Sequence, residues 1–420
     1  MKRRTSVTAW VLAVGVGLTA LAAPGWSDSP AKPASGATAA VSKVLTDAVA
    51  RNDAPGVVGL VVDRNRVLYE GAAGKLGGPQ NGPLLTDTIF NLASMTKPVT
   101  SVAVMQLLEQ GKLALDDPVS KYLPGFDKLQ VVTKFNDVDG TVESRPAKTT
   151  MTVRHLLTHT SGIGYGFSSP IVARLQQGNQ KLEWEVPLLH DPGTKWAYGA
   201  STRVLGLIVE KLSGQSLEEY DQEHILRPLG MVDTSYAVPI DKQSRVMTVY
   251  SRVDGKLQER PRGNIAAIPT PPYRGDGGLY STAEDYGRFM RMLLNGGHLG
   301  KVRILSEKSV RLMGQNNIGA VFVSQQPVGI AALTEPFPLG AGRDKFGLGF
   351  QLAAASPDNA KYRSAGSMSW AGLFNTQFWV DPKAGVGGVL LLQYLPFYDD
   401  GAIRTLQEFE AAVYQNLVHR

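Results

Sequence analysis

Ser94-Met95-Thr96-Lys97 sets a hydroxyl and an amine three residues apart, and the same spacing recurs at Ser29-Pro30-Ala31-Lys32. Residues three apart on a helix share a face, so the Ser94 hydroxyl and the Lys97 amine can meet. The chemistry this offers is nucleophilic acyl transfer. A serine hydroxyl is a weak nucleophile without a base, and a lysine serves as one near neutrality only if desolvation lowers its pKa. A helix N-terminus adds free N–H groups and a positive dipole end, which favour a developing anion. Taken alone, the stretch fits equally well an N-cap serine beside a solvent-facing lysine. At the other copy, Pro30 follows Ser29 and Pro33 follows Lys32, so that pair is neither helical nor buried and carries no chemistry.

The elements around Ser94 can be read from periodicity. "MTKPVTSVAVMQLLEQGKL" places Val99, Val102, Met105 and Leu108 as in a buried helix that ends at Gly111. Proline is tolerated only in the first turn, so Pro98 sets the helix start at Ser94 or Met95. Residues 38–51 read as a helix with Val41, Val44, Leu45, Ala48 and Val49 on one side. "GVVGLVVDRNRVLYEGAAG" reads as two strands joined at Asp63–Asn65. Helices and loops run to about residue 275. Strands return at Gly347–Leu352, Gln377–Val380 and Gly387–Gln393, and a helix over 402–418 closes the chain. Strands at both ends with helices between them predict one sheet assembled from the two chain ends, with a helical region inserted.

Composition narrows the function classes. A chain of 420 residues with 43% hydrophobic residues suits a soluble globular protein with a large core. "MKRR", the apolar run "VTAWVLAVGVGLTALAA" and small residues before "PGWSDSP" have the form of a secretory signal peptide cleaved near Ala22–Gly25. The expected organisation is a signal peptide over 1–23, a linker over 24–37 and a catalytic domain over 38–420. In that domain the sheet region covers about 38–90 and 285–420, and the helical region about 94–280. The mature protein is expected free in the periplasm or outside the cell, with no stable membrane anchor. The signal's three cations account for half of the formal charge of +6, and the remainder is too diffuse for a nucleic-acid footprint. The chain has no cysteine, which excludes disulfides, thiol catalysis and cysteine metal sites.

The Ser94–Lys97 segment resembles the nucleophile motif of serine β-lactamases and penicillin-binding proteins. Similar phrases follow in the family's order over roughly residues 50–395: "LALDDPVSKYLPGF", "MTVRHLLTHTSGIGYGF", "PGTKWAYGASTRVLGLIVEKLSGQSLEEY", "GDGGLYSTAEDYGRFMRMLLNGG" and "FGLGFQL". Within the superfamily the likeness is greatest to the class C-like branch that includes family VIII carboxylesterases. The fold this implies is the α/β (α+β) β-lactamase/transpeptidase-like fold, an antiparallel sheet flanked by helices.

The resemblance also implies a tyrosine of a Tyr-x-Asn motif, here Tyr198 in "WAYGAS". A lysine ammonium beside it would lower its pKa and let it relay protons. The motif's asparagine is replaced by Ala200, with Ser201 the candidate to supply part of its hydrogen bonding. The third element, usually Lys-Thr-Gly on an edge strand, is replaced by Trp370-Ala371-Gly372 ahead of "FWVDP", like the Trp-x-Gly of the esterase branch. By the same likeness the Ser94 and Leu373 N–H groups form the oxyanion hole. An indole in place of a lysine removes a cation that would hold a substrate carboxylate.

Rival motifs are weak. There is no G-x-S-x-G elbow, "HLLTH" at His155–His159 lacks the glutamate of a zinc protease, and Ser281–Glu284 reads as a helix cap. The expectation is a serine hydrolase needing no metal and no cofactor, with a small-molecule ester as its partner and no nucleic acid. Ser94, Lys97 and Tyr198 would act as its catalytic residues, with Trp370, Ala371 and Gly372 against the substrate. A β-lactamase or D-amino-acid-specific peptidase is the alternative among enzymes, and an inactive penicillin-binding-like sensor the alternative outside them.

Overall fold

A computed structural model describes residues 35–79, 81–177, 181–356 and 361–418. The apolar N-terminal run, its cleavage site and the Ser29–Lys32 pair lie outside the described residues. The elements that position the site are, in chain order, α1 (Ser35–Ala50), β1 (Gly56–Asp63), β2 (Val67–Gly74), α2 (Thr96–Glu109), α3 (Ser201–Ser213), α4 (Ala283–Leu294), β3 (Lys345–Phe346), β4 (Gln351–Leu352), β5 (Met368–Gly372), β6 (Thr376–Asp381), β7 (Val386–Leu391) and α5 (Asp400–Asn416).

Seven strands form one antiparallel sheet in the order β3-β4-β5-β6-β7-β1-β2, so the two chain ends meet where β7 pairs with β1. The register sets Val58 opposite Leu391 and Val62 opposite Gly387. Strand β1 is an unbroken apolar run because both its faces are covered. A side chain at Gly59 would strike Phe409 of α5 and Leu45 of α1, whereas Leu60 points the other way, onto Gly287 of α4. Helices α1 and α5 therefore cover one face, and α4 covers the other. Period-two alternation alone separates these two partners.

Four readings of the sequence shift. Helix α1 begins at Ser35, inside the expected linker. The strand expected over 347–352 is a hairpin, because Gly349 turns with φ +94° and only Gln351–Leu352 pairs with β5. The cap of α4 is Thr282, which accepts from the Asp285 N–H, rather than Ser281. The inserted region also contains two hairpins, Gln130–Phe135 with Val142–Pro146 and Tyr250–Val253 with Lys256–Glu259. Among the described residues no helix is long and apolar enough to cross a membrane.

Candidate active site

Ser94 sits on a 3-10 turn, Ala93–Met95, that leads into α2. Ala93 is held at φ +44°, in the left-handed region. Such strain costs of order 1–3 kcal/mol outside glycine and persists only where the surroundings impose it. Here the Asn91 side chain accepts the Ala93 N–H at 2.9 Å, and the Thr376 hydroxyl donates to the Leu92 carbonyl at 3.2 Å. The Tyr286 hydroxyl donates to the Met95 carbonyl at 3.0 Å. The end of β5 presses on the same turn. A Cβ at position 372 would fall 2.1 Å from the Leu92 carbonyl oxygen, so glycine is required there by close approach.

Lys97 is the second residue of α2 and is buried. Its Nζ donates to Ser94 Oγ at 3.0 Å, to the Tyr165 hydroxyl at 3.1 Å and to the backbone carbonyl of Asp276 at 2.7 Å. Burial pulls its pKa down to about 7, against the Asp276 carboxylate, which raises it. The Asp276 carboxylate accepts from the Tyr165 hydroxyl and from Arg274 at 3.1 and 3.2 Å. Burial pushes Asp276 up, but the Lys97 and Arg274 charges outweigh it and leave the carboxyl below its usual range. Tyr165 lies well above the ordinary phenol value, through burial and then the Asp276 charge.

Tyr198 packs edge-on beside Tyr165, ring centroids 5.3 Å apart, with Lys97 Nζ 4.8 Å from its own centroid. Both Tyr198 and Ser94 face the same cavity. The sequence-based expectation of a lowered phenol pKa does not hold. Burial drives Tyr198 up, and the opposing pull of Ser94 and Trp370 is smaller. Close approach also fixes its neighbour, because a Cβ at Gly199 would meet the Ile163 carbonyl oxygen at 1.9 Å.

Of the residues singled out in the sequence, Ser94, Tyr198, Trp370, Ala371 and Leu373 line one cavity of about 300 Å³, which Phe167, Phe337 and Phe397 also border. Lys97 sits beneath it, bonded to Ser94. Gly372 packs on Leu92 and is not part of the wall. Ser201 does not replace the missing asparagine: it is buried and shares a 2.7 Å hydrogen bond with Ser161. Trp370–Gly372 extends beyond the β4 pairing, which stops at Ser369, so this end of β5 is a free edge. His155 accepts the Thr152 N–H in a helix cap. The His159 ring is stacked on Trp370 at 6.1 Å and packs on Tyr198 at 4.9 Å. Burial, then the Lys97 charge, holds His159 far below its usual value and therefore neutral. Among the described residues no group of three or more acidic or histidine side chains could hold a metal ion.

Sequence reasoning missed Tyr165, Asp276 and Arg274. Both phrases that contain them, "SGIGYGF" and "RGDGG", are punctuated by glycine, which allows tight backbone approach. A lone acid or phenol among glycines was the available signal.

A family model described as Beta-lactamase matches residues 41–413. Protein Rv1367c of Mycobacterium tuberculosis is 36% identical over 362 residues, covering 81% of this chain and 86% of that protein. Monacolin J acid methylbutanoyltransferase of Aspergillus terreus is 30% identical, covering 79% and 83%. Esterase EstB of Burkholderia gladioli is 29% identical, covering 84% and 89%. Among solved structures, the LovD6 mutant of simvastatin synthase from Aspergillus terreus superposes with a TM-score of 0.76 at 28% identity, covering 91% of this chain and 95% of that one. EstCE1, a hydrolase with promiscuous acyltransferase activity, gives 0.72 at 25% identity, covering 90% and 98%.

Proposed function

Because the chain belongs to the beta-lactamase family of serine hydrolases and acyltransferases, we propose that it is an exported carboxylesterase that cleaves short-chain esters through an acyl-enzyme on Ser94. The carrying observation is the Lys97 amine, 3.0 Å from Ser94 Oγ and held at about 7 by burial. An amine at that value is half neutral at physiological pH, so it accepts the serine proton where an ordinary lysine would not. Tyr198, held protonated, is the acid of the pair rather than the base.

The steps balance with these groups. Neutral Lys97 takes the Ser94 proton as Oγ attacks the ester carbonyl. The oxyanion is placed against the Ser94 and Leu373 N–H groups, each such donor contributing about 2.7–4 kcal/mol in the transition state. Collapse expels the alcohol with a proton from Tyr198, which the Lys97 ammonium replaces. Water then attacks the acyl carbonyl and gives its proton to the same pair, and Ser94 recovers its hydrogen.

Two departures favour esters over β-lactams. Trp370 offers the cavity an indole where related enzymes present an ammonium, and Ala200, buried and outside the cavity lining, supplies no counterpart to their amide. A charge-assisted hydrogen bond contributes about 1.5–3 kcal/mol and a neutral one about 0.5–1.5 kcal/mol, so the first loss lowers recognition of a carboxylate by about tenfold or more and the second that of an amide by up to about tenfold. The test is a panel of nitrophenyl esters of graded chain length beside a chromogenic cephalosporin. We expect kcat/KM for a short ester to exceed that for the cephalosporin by about a hundredfold, the two losses combined. Equal or faster cephalosporin turnover would assign the protein to the lactamases instead.

A second reading, transfer of the acyl group to an alcohol, has support from the aromatic wall of Phe167, Phe337 and Phe397, which would hold an apolar acceptor in place of water. The acyltransferases among its relatives point the same way. Ester product formed in the presence of an added alcohol measures this branch.

A further inference from the structure

The hydrogen bonds around Lys97 contain more than proximity. A neutral lysine amine has two hydrogens and one lone pair, and only the lone pair can accept the serine proton. Three partners surround Nζ: Ser94 Oγ, the Tyr165 hydroxyl and the Asp276 backbone carbonyl, at 3.0, 3.1 and 2.7 Å. The carbonyl has no hydrogen to give, so it takes one N–H. Tyr165 could either accept or donate, and if it donated to Nζ it would occupy the lone pair. Its hydrogen goes instead to the Asp276 carboxylate. Both Tyr165 and Asp276 are at least nine-tenths buried, and neither lines the substrate cavity.

We infer that Asp276 and Tyr165 are positioning residues that fix the direction of hydrogen bonding at Lys97, so that its lone pair is left facing Ser94. Asp276 takes the phenol hydrogen, Tyr165 must then accept from Lys97, and both amine hydrogens are committed away from the nucleophile. After proton transfer the third N–H of the ammonium points at Ser94 Oγ without rotation, so one geometry serves both protonation states. Arg274, at 3.1 Å from the carboxylate, helps to keep Asp276 ionised and therefore an acceptor only. This inference rests on Lys97 being the base.

The test separates direction from charge. The charged and titratable groups around Lys97 are Asp276, Arg274, Glu183, His159, Tyr165 and Tyr198. In Asp276→Asn the carboxylate that raises the Lys97 pKa is gone, so the acid limb of kcat/KM for a nitrophenyl ester moves to lower pH. The asparagine amide can donate to Tyr165, which frees the phenol hydrogen for the Lys97 lone pair. The plateau above the limb is therefore expected to fall by at least about tenfold, the equivalent of one hydrogen bond that must be broken before reaction. Tyr165→Phe removes the competing hydrogen altogether, so its plateau should fall less than that of Asp276→Asn. The double variant should recover to the level of Tyr165→Phe.

A double variant as slow as Asp276→Asn would overturn the inference, because Asp276 would then act by charge or packing alone. If Asp276→Asn fails to fold, folded Tyr165→Phe decides: a plateau within about tenfold of the parent supports the arrangement, and a larger loss overturns it by making Tyr165 a reacting group. Full ester turnover by Lys97→Met would instead remove the base assignment on which the inference rests.

Discussion

Replacing Lys97 by methionine tests the base assignment through stability as well as activity. The amine titrates at about 7 in the folded chain, against an ordinary value of 10.5. The unfolded chain therefore takes up this proton first as pH falls from alkaline values. Lys97 costs nothing above 10.5, costs progressively more as pH falls towards 7, and costs a constant amount below that. The full penalty is about 4–5 kcal/mol, and moving from pH 7 to pH 9 removes about 2 kcal/mol of it. Methionine has no such dependence. Asp276, Arg274 and His159, which face the amine, each keep one charge state over that range, given the directions in which they are held. Urea unfolding of parent and variant at the two pH values, with matching m-values, gives the comparison. The parent should gain about 2 kcal/mol on the variant between pH 7 and pH 9, and its kcat/KM for a nitrophenyl ester should rise through about pH 7. A stability difference that stays flat would mean that Lys97 is charged at neutrality, and Ser94 would then need another base.

Three further outcomes follow from the site and the chain. Ser94→Ala should lower kcat by about 10⁴–10⁶, with Ser29→Ala indistinguishable from the parent in the same assay. Trp370→Lys should destabilise the fold by about 3 kcal/mol or more. It would set an ammonium among His159, Tyr198 and Phe346, whose rings lie 5.0–6.1 Å from the indole; thermal unfolding at one pH reads this, and an unchanged midpoint would count against a packed aromatic cluster. N-terminal sequencing of exported protein should begin near Ala22–Gly25, whereas an intact Met1 would make the apolar run an anchor.

Much of the fold was legible because periodicity reports burial. The β1–β2 hairpin, α2 and the closing helix stand where the apolar spacing put them, since each buries a continuous face. Legibility failed where a local choice depended on a distant partner. Gly347–Leu352 looks like a strand by composition, yet Gly349 turns the chain there, and a Cβ on it would fall 2.4 Å from the Ser101 hydroxyl oxygen on α2. The cap of α4 moved by one residue because Thr282 and Ser281 are equally competent, and Ser281 was already bonded to Thr234 at 2.7 Å.

The site divides along the same line. Ser94 and Lys97 are three residues apart, and although α2 starts at Thr96 rather than at Ser94 or Met95, the 3-10 turn that leads into it keeps the local spacing that brings them together. Tyr198 and Trp370 carry no local signal and were placed by likeness to a family. Tyr165 and Asp276 lie 68 and 179 residues beyond Lys97, with no periodicity to connect them. What decides the chemistry there is the direction of each hydrogen bond, which depends on whether each partner can donate. Residue types can state that Asp276 only accepts and that Tyr165 can do either. Only their contact makes Tyr165 an acceptor towards Lys97. The Ser-x-x-Lys spacing therefore marks a possible pair, and in the mechanism we propose it is the buried acid and phenol behind it that would make the pair a nucleophile and a base.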